Sequence, residues 1–521
     1  MVLSNVSVML GPRTRTTLAA GIYVASIAYA VAELWRFPWW TVDDAYIVFR
    51  YARNLVEHAE LSWNVGAPPV EGYTGIVLPL AVAAGMKAGV TPEVLTRTLG
   101  IAAFFLAAWT VYDNQRVLGI REPTRAYMTA LALLFPPLYA HATSGLETLV
   151  FAALAGVCLG FLLRAARSPR SAASQALFWM SALALSLVRP EGVLCTLVLG
   201  AALAWKVARA GVPKRAPIAR AVGFYAAPYG AYFVWRAAHY GRLLPNTYYA
   251  KQADSGWDPE FCTTGLALAG AFLPVLLAGL LLTLGRRRVD VPRWLGVVAA
   301  VLIALVTLGY SRSTLIMGYL FRFQIHWLFL FLPLVGAWLS DFAALAQLPE
   351  RCGRARGWLM AAVAIGVLGA EPVELLRQRN GVRALCQRYL DVQREEHARI
   401  GAWLRAHLPE SEAIACYVDA GMVPFLAGEH RTIDFGRLSD AYLAHLGRTP
   451  AEVADYFFSL GPGALIVASD SATRVLPQHG GGVITGDSRF AEYERVLTYC
   501  SPEHREAPCE MLFLRRSVAV Q

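Results

Sequence analysis

Two adjoining stretches decide the fold: TLAAGIYVASIAYAVAELWR at residues 17–36 and FPWWTVDDAYIVFRYARN at residues 37–54. The first is apolar for nearly its whole length and is long enough to cross a bilayer once. The second opens with aromatic residues of the kind that collect at the membrane–water interface. Two adjacent carboxylates, Asp43 and Asp44, follow immediately. The chain is therefore expected to leave the membrane directly into an acidic segment at its surface.

The composition around these stretches is that of a membrane protein. Of 521 residues, 56% are hydrophobic and 16% are charged, whereas about a quarter of the residues in a soluble domain are charged. Residues 1–370 carry 31 Lys and Arg against 17 Asp and Glu, and the remainder carries 16 against 20. We therefore expect a transmembrane domain over residues 1–371 and a soluble domain over 372–521. The positive charge indicates membrane topology and gives no support for a nucleic-acid partner.

Hydropathy predicts about eleven transmembrane helices. They lie at 17–36, 95–113, 125–141, 147–164, 174–189, 191–207, 219–238, 263–285, 294–310, 324–346 and 356–371. The loops at 116–125, 164–170, 206–220, 286–293 and 351–356 are rich in Lys and Arg and should be cytoplasmic.

This orientation settles a doubtful apolar segment at 73–90. If it also crossed, every later basic loop would lie outside, so we expect a juxtamembrane helix within a first outer loop, 41–94. The C-terminal domain is then extracytoplasmic, in a multi-pass membrane protein. A cleavable signal peptide ending near Ala28-Tyr29-Ala30 is the less favoured alternative, because the apolar stretch continues to Trp40.

Five polar clusters fall on the outer side in this topology, and charges at membrane depth are costly unless they are paired or line a polar cavity. For Arg189 and Glu191 both readings, a structural ion pair and a cavity lining, stay open. The residues expected to bind a substrate at this surface are Arg50, Arg53, Glu71, Tyr73, Glu147, Arg189, Glu191, Asn246, Tyr248, Lys251, Tyr319 and Arg322. Among them Lys251, Arg322 and Arg189 are the cations suited to a phosphate.

The acidic pair is the candidate catalytic centre. One carboxylate can accept a proton from an attacking hydroxyl while the other orients that hydroxyl, and we favour Asp43 as the base. No cofactor is certain, and either Asp43 or Asp44 could hold a divalent cation. The alternative is that Asp44 only caps the helix predicted over 45–56.

These segments resemble the GT-C class of membrane glycosyltransferases, in particular the AftB-like terminal arabinofuranosyltransferases that use decaprenyl-phosphate arabinose. The similarity runs through VDDAYIVFRYARNL, LSWNVG and VEGYTG within 42–75, and continues in SGLET (144–148), RPEG (189–192), LPNTYYAK (244–251) and FRFQ (321–324). It implies a GT-C fold with a catalytic Asp in the first outer loop. It also implies a polyprenyl-phosphate sugar donor, an arabinofuranosyl group, and a cell-envelope glycan or glycoconjugate as acceptor. A transporter or flippase of a lipid-linked or anionic substrate is the main alternative, and a structural membrane protein is a weaker one.

The C-terminal domain is expected to be a small α/β sandwich. Short β-like runs at 414–418, 432–435, 464–469, 495–499 and 511–515 alternate with helical stretches. The Asp-containing turns at 419–421 and 434–436 are read as strand-end turns or as contacts to an acceptor glycan. Cys500 and Cys509 flank a short connection between two strand-like runs, so we predict a disulfide between them in an oxidising compartment.

Overall fold

The structure is a computed structural model. It describes residues 12–252, 258–284, 293–314, 317–339, 354–417, 419–444, 449–469, 473, 475, 481–500 and 509–518.

The first half of the chain is a bundle of apolar helices joined by short loops. Its helices are α1 (Pro12–Arg36), α2 (Asp43–His58), α3 (Val77–Lys87), α4 (Pro92–Leu118), α5 (Thr124–Leu134), α6 (Pro136–Thr143), α7 (Thr148–Arg167), α8 (Ala172–Val188), α9 (Glu191–Arg209), α10 (Arg215–Ala221) and α11 (Ala227–Tyr240), the last two joined by a π-turn at Val222–Ala226. Helices α4 and α7 pack side by side at the centre through small residues: a Cβ added at Gly156 would overlap Thr110. Such close backbone approach is typical of membrane helices.

The second half completes the bundle and adds the soluble domain. Its elements are α12 (Asn246–Ala250), α13 (Glu260–Ala271), α14 (Leu273–Leu284), α15 (Arg293–Tyr310), α16 (His326–Leu339), α17 (Arg354–Val392), a π-turn (Gln393–His397), α18 (Ala398–His407), β1 (Ile414–Tyr417), α19 (Met422–Ala427), β2 (Thr432–Asp434), α20 (Pro450–Leu460), β3 (Ala464–Ser469), α21 (Gly481–Thr485), β4 (Tyr493–Tyr499) and β5 (Cys509–Arg515). The predicted boundary at 371/372 falls inside α17, so one continuous helix leads from the bundle into the soluble domain.

Six helices among the described residues are long and apolar enough to cross a membrane. They are Arg13–Arg36, Pro92–Leu118, Thr148–Arg167, Glu191–Arg209, Arg293–Tyr310 and Ala355–His407. Three shorter apolar helices accompany them: Val77–Lys87, Ala172–Val188 and His326–Ala337. The figure of eleven crossings stays a prediction.

Two predicted spans are interrupted next to a proline in the part of the chain that the structure describes, which leaves out residue 285 and residues 340–346 of the predicted spans. Segment 125–141 is broken at Phe135, where Pro136 starts α6 without an N–H to continue the preceding helix. Segment 263–285 is broken at Phe272, just before Pro274. Helix α3 has 11 residues and so a length of about 16 Å, roughly half the apolar thickness of a bilayer. That length suits the predicted juxtamembrane helix.

The soluble domain is built on a five-stranded sheet in the order β2-β1-β3-β5-β4. Strand β1 pairs in parallel with β2 and β3, while β5 is antiparallel to β3 and β4. Leu404 of α18 packs on one face of the sheet and Phe457 of α20 on the other. All five predicted strands are present, and the predicted Cys500–Cys509 disulfide is confirmed.

Candidate functional site

A narrow pocket lies where α2 meets the loops that follow the apolar helices. Its charged lining residues are Asp44, Glu147, Lys251 and Arg322. The remaining walls are formed by Ile47, Val48, Gly72, Tyr73, Thr74, Gly75, Leu78, Leu146, Thr247 and Leu438. The pocket volume is ≈ 30 Å³, enough for water but too small for a sugar ring. A ligand of that size therefore requires the lining side chains to move apart.

A wider groove opens from this pocket between α9 and α15. It has a volume of ≈ 240 Å³ and carries the apolar side chains of Leu194, Leu244 and Val306. Four residues line both cavities: Thr74, Thr247, Lys251 and Arg322. The apolar groove thus meets the charged pocket, and the two cations Lys251 and Arg322 lie at the junction.

The cation of Arg322 faces the carboxylate of Asp44. Arg322 Nη1 lies 3.3 Å from Asp44 Oδ2, and Nε of this buried guanidinium has no hydrogen-bond partner. The two preceding residues, Leu320 and Phe321, have φ of 48° and 64°. Left-handed backbone at such residues is strained and concentrates at ligand-binding sites. Arg322 therefore lies at the pocket with one N–H group, that of Nε, still able to donate a hydrogen bond to a ligand.

Lys251 is the second cation at the junction. Burial lowers the pKa of its ammonium group to about 8, and the nearby Asp44 carboxylate partly opposes this effect while Arg322 and Arg189 add to it. A lysine with this pKa is charged below about pH 8, and an anionic ligand would stabilise its charged form.

Arg189 bridges two carboxylates at the edge of the groove. Its Nη1 lies 2.9 Å from Glu147 and its Nη2 lies 2.7 Å from Glu191, and the Tyr310 hydroxyl also donates to Glu191. Arg189 and Glu191 line the groove, while Glu147 lines the pocket. The structural ion pair and the cavity lining are therefore compatible, because the same groups form ion pairs and line the cavities.

Asp43 faces away from both cavities. Its carboxylate accepts hydrogen bonds of 2.7 Å from the backbone N–H groups of Gly421 and Met422, at the start of α19 in the soluble domain. Its own N–H donates to the Tyr389 hydroxyl. The Asp43 side chain is buried, and both of its carboxylate oxygens are hydrogen-bonded to the soluble domain. Asp43 therefore joins α2 to that domain.

Three other predicted donor-binding residues also contact the soluble domain. Arg50 donates to the His430 carbonyl at 2.7 Å, Arg53 to the Phe425 carbonyl at 2.8 Å, and Asn246 to the Leu438 carbonyl at 2.9 Å. These N–H groups donate to backbone oxygens, although Arg53 Nε has no hydrogen-bond partner. None of the three residues lines either cavity.

The remaining predicted residues divide between wall and support. Tyr73 lines the pocket and its hydroxyl lies 2.8 Å from that of Tyr240. Tyr248 lines the groove. Glu71 pairs with Arg236 at 2.6 Å, and Tyr319 packs against the ring of Trp40. Glu71 and Tyr319 support the surrounding loops without lining a cavity.

Some lining residues were outside the sequence prediction. Thr74 and Thr247 lie beside predicted residues, inside the quoted motifs VEGYTG (70–75) and LPNTYYAK (244–251), which could have marked them. Leu438 comes from the soluble domain, and no local pattern marks it. The soluble domain therefore closes one side of the pocket.

Gly421 offers a test of this junction. A Cβ there would overlap the backbone oxygen and the carboxylate of Asp43, so Gly421→Ala should force the soluble domain away from α2. We expect a destabilisation of about 1–3 kcal/mol, measured as a lower Tm together with faster proteolysis between the domains. Gly366→Ala is the matched control, since nothing lies within 4 Å of a Cβ at that helical position. An unchanged Tm in Gly421→Ala would contradict the close contact.

The architecture is the GT-C fold of membrane glycosyltransferases, as predicted. The structure is similar to ArnT from Cupriavidus metallidurans bound to undecaprenyl phosphate, with a TM-score of 0.55, 14% identity, and coverage of 94% of this chain and 98% of that chain. It is also similar to the oligosaccharyltransferase AglB from Archaeoglobus fulgidus in complex with an inhibitory peptide and a dolichol-phosphate (TM-score 0.55, 10% identity, 94% and 74% coverage). The arabinofuranosyltransferase AftD from mycobacteria matches with a TM-score of 0.50 and 17% identity, over 94% of this chain and 41% of that chain.

Sequence comparison adds one match. Residues 387–513 match a domain of unknown function, DUF8728, which covers the soluble domain from the end of α17 to β5. No curated protein matches the sequence.

Proposed function

We propose that the protein is a glycosyltransferase that moves a sugar from a polyprenyl-phosphate donor to a hydroxyl of a cell-envelope glycan or glycoconjugate. The observation that carries this proposal is the junction of groove and pocket, where Lys251 and Arg322 lie next to Asp44. An apolar groove suits a prenyl chain, the two cations suit a phosphate, and the carboxylate lies on the pocket side, where a sugar would sit.

Asp44 is the base in this proposal, in place of Asp43. An acceptor O–H gives its proton to Asp44, and the acceptor oxygen attacks C1 of the sugar. The bond from C1 to the phosphate oxygen breaks, and the polyprenyl phosphate leaves with the electron pair. Lys251 and Arg322 stabilise the charge that develops on it.

Arg322 connects donor binding to the base. In the structure its guanidinium is paired with Asp44. A donor phosphate competes for the same guanidinium, so donor binding turns Arg322 away from Asp44, widens the pocket and leaves Asp44 free to accept a proton.

Arabinofuranose is the donor sugar we infer, from the resemblance of the outer loops and from the match to a structure named as an arabinofuranosyltransferase. Structures similar to this one hold undecaprenyl phosphate or dolichol-phosphate, which supports a lipid-linked donor. The basic loops support an inner-membrane protein with its site and soluble domain outside the cytoplasm, and the disulfide is consistent with that placement. Neither Asp43 nor Asp44 belongs to a group of three or more residues with metal-ligand spacing among the described residues, and a divalent cation at either one stays a prediction.

The deciding experiment is an assay of purified protein with a panel of polyprenyl-phosphate sugars and acceptor glycans, read by mass spectrometry. We expect a glycosylated acceptor and free polyprenyl phosphate in equal amounts, with the arabinofuranosyl donor preferred. Transfer from another donor would change the sugar assignment. Movement of intact donor across proteoliposomes with no transfer would support the flippase alternative.

Lys251 makes a pH-dependent contribution to donor affinity. Its lowered pKa of about 8 means that the cation is present below that pH and is lost as the pH rises through it. We expect Kd for a phosphodiester donor to rise about tenfold between pH 7 and pH 9, since a charge-assisted hydrogen bond contributes about 1.5–3 kcal/mol when fully formed. The charge of a phosphodiester does not change between pH 7 and pH 9, so the pH dependence of Kd reports on the protein.

The matched control is Lys251→Arg, because a guanidinium stays charged across this range. Its Kd should change little between pH 7 and pH 9, while Lys251→Met should bind weakly at both. A wild-type profile that is flat with pH would contradict the role of Lys251 as a phosphate ligand.

A further inference from the structure

A second cluster of ionisable side chains lies on the far side of Asp43, inside the soluble domain. His397 belongs to the π-turn that ends α17, Asp419 follows β1, and Glu510 lies in β5. His397 and Glu510 are each 3% exposed. Three separate elements thus deliver one imidazole and two carboxylates to the same enclosed point.

The ligand atoms of these three groups lie close enough together to share one metal ion, and one of the distances is that of bound ligands. His397 Nε2 lies 3.4 Å from Glu510 Oε1 and 3.8 Å from Asp419 Oδ2, and the three ligand atoms lie within 4.8 Å of one another. These distances are longer than N–H···O hydrogen bonds, which cluster at about 2.7–3.2 Å. Ligands bound at about 2.0–2.2 Å around a tetrahedral Zn²⁺ are roughly 3.3–3.6 Å apart, which the His397–Glu510 distance matches.

Two buried atoms of the cluster have no hydrogen-bond partner: Glu510 Oε2 and His397 Nδ1. His397 Nδ1 faces Asp43 Oδ1 at 3.9 Å. Three carboxylates, those of Asp43, Asp419 and Glu510, therefore surround a single imidazole. Two of these carboxylates, those of Asp43 and Glu510, are buried, and buried charge is costly unless cations or hydrogen bonds compensate it.

We propose that His397, Asp419 and Glu510 bind one divalent cation of the zinc class. Imidazole and carboxylate ligands together suit Zn²⁺ and its first-row neighbours better than Mg²⁺ or Ca²⁺, which prefer all-oxygen sites. Three protein ligands leave a fourth position for water. With Nε2 bound to the metal, the imidazole carries its proton on Nδ1 and directs it at Asp43, an arrangement of carboxylate, histidine and metal that fixes the ring.

The cation would act as a clamp between the soluble domain and the first outer loop. Asp43 is linked to both the imidazole and the start of α19, and it precedes the pocket residue Asp44 in the chain. Loading the site would therefore fix the start of α2 and, with it, the position of Asp44. This binding does not depend on the sugar-transfer reaction, so it can be measured separately.

The test uses full-length protein purified in detergent without a histidine tag, stripped with EDTA and titrated with ZnCl₂. We expect one Zn²⁺ per chain after dialysis and a rise in Tm with zinc concentration. Glu510→Gln and Asp419→Asn should each weaken zinc binding roughly 100-fold or more, and Asp43→Asn roughly tenfold, as for partners of a ligating histidine. Asp419 is the safer variant for folding, since its side chain is 31% exposed.

The chain offers a matched control in an exposed group of the same kinds of side chain, Glu57, His58 and Glu429. Glu429→Gln should leave the stoichiometry and the Tm rise unchanged. Zinc binding that is lost with Glu429→Gln and kept in both Glu510→Gln and Asp419→Asn would overturn the assignment. So would a wild-type protein that retains no zinc, or one whose Tm rises equally with MgCl₂.

Discussion

Replacing Asp44 by Asn is expected to lower the rate of sugar transfer by a factor of about 10²–10⁴, the usual contribution of a positioned general base. The amide has nearly the same shape as the carboxylate but cannot accept the proton of the acceptor hydroxyl. The loss should fall on kcat. Donor affinity should stay the same or improve, since the donor phosphate would no longer compete with a carboxylate for Arg322. Single-turnover transfer and donor Kd, measured on the same sample, check both parts.

Asp43→Asn is the matched comparison on the adjacent position. One of its two carboxylate oxygens would become an N–H₂ group facing the backbone donors of Gly421 and Met422, so we expect a lower Tm and looser docking of the soluble domain. Some loss of kcat would follow from displacement of Asp44. An active Asp44→Asn protein with an inactive but fully folded Asp43→Asn protein would return the role of base to Asp43.

The difference between these neighbours shows what the sequence could not decide. Successive residues on a helix point about 100° apart, and α2 begins at Asp43, so the two carboxylates face different surroundings. The sequence marks the pair as important because it follows an apolar segment. Only the packing of α19 against α2 determines that Asp43 meets the soluble domain and Asp44 meets the pocket.

The fold was more accessible to prediction than the site. Apolar segments and alternating strand patterns are local, so the helical bundle, the five strands and the disulfide follow from windows of the sequence. Lys251 and Arg322 could be placed near Asp44 because each adjoins an apolar helix at the same predicted surface. Arg50 and Arg53 have the same chemistry, yet they donate to carbonyls more than 350 residues away in the chain. No local pattern distinguishes a cation that awaits a phosphate from one that binds a backbone oxygen.

The interruptions of the helix within segments 125–141 and 263–285 also depend on single residues that hydropathy does not register. Hydropathy averages over a window and recognises Phe135-Pro136 and Phe272-Leu273-Pro274 only as apolar residues. Proline nevertheless ends the hydrogen-bond ladder of the preceding helix. In both cases the composition predicted the burial of the segment, while its division into two helices depended on single residues.

Arg189 should be the most sensitive position for stability. Its side chain is 5% exposed, and its guanidinium is the cation that lies against both Glu147 and Glu191. Arg189→Met removes that charge and leaves two buried carboxylates facing an apolar side chain. Breaking a buried ion pair from one side costs about 3–5 kcal/mol. We expect a large drop in Tm, measured in detergent and again in nanodiscs, and little folded protein at growth temperature.

The companion variants separate charge from packing at this cluster. Arg312→Met, at an exposed position before the groove residues Ser313 and Thr314, should change stability by no more than about 0.5 kcal/mol. Neutralising both carboxylates in the Arg189→Met background, with Glu147→Gln and Glu191→Gln, should restore much of the lost stability, because no unpaired charge then remains buried. If the triple variant is no more stable than Arg189→Met, lost packing and hydrogen bonding rather than uncompensated charge explain the defect. If Arg189→Met alone melts at the wild-type temperature, the cluster does not stabilise the fold, and its groups are free to serve the substrate.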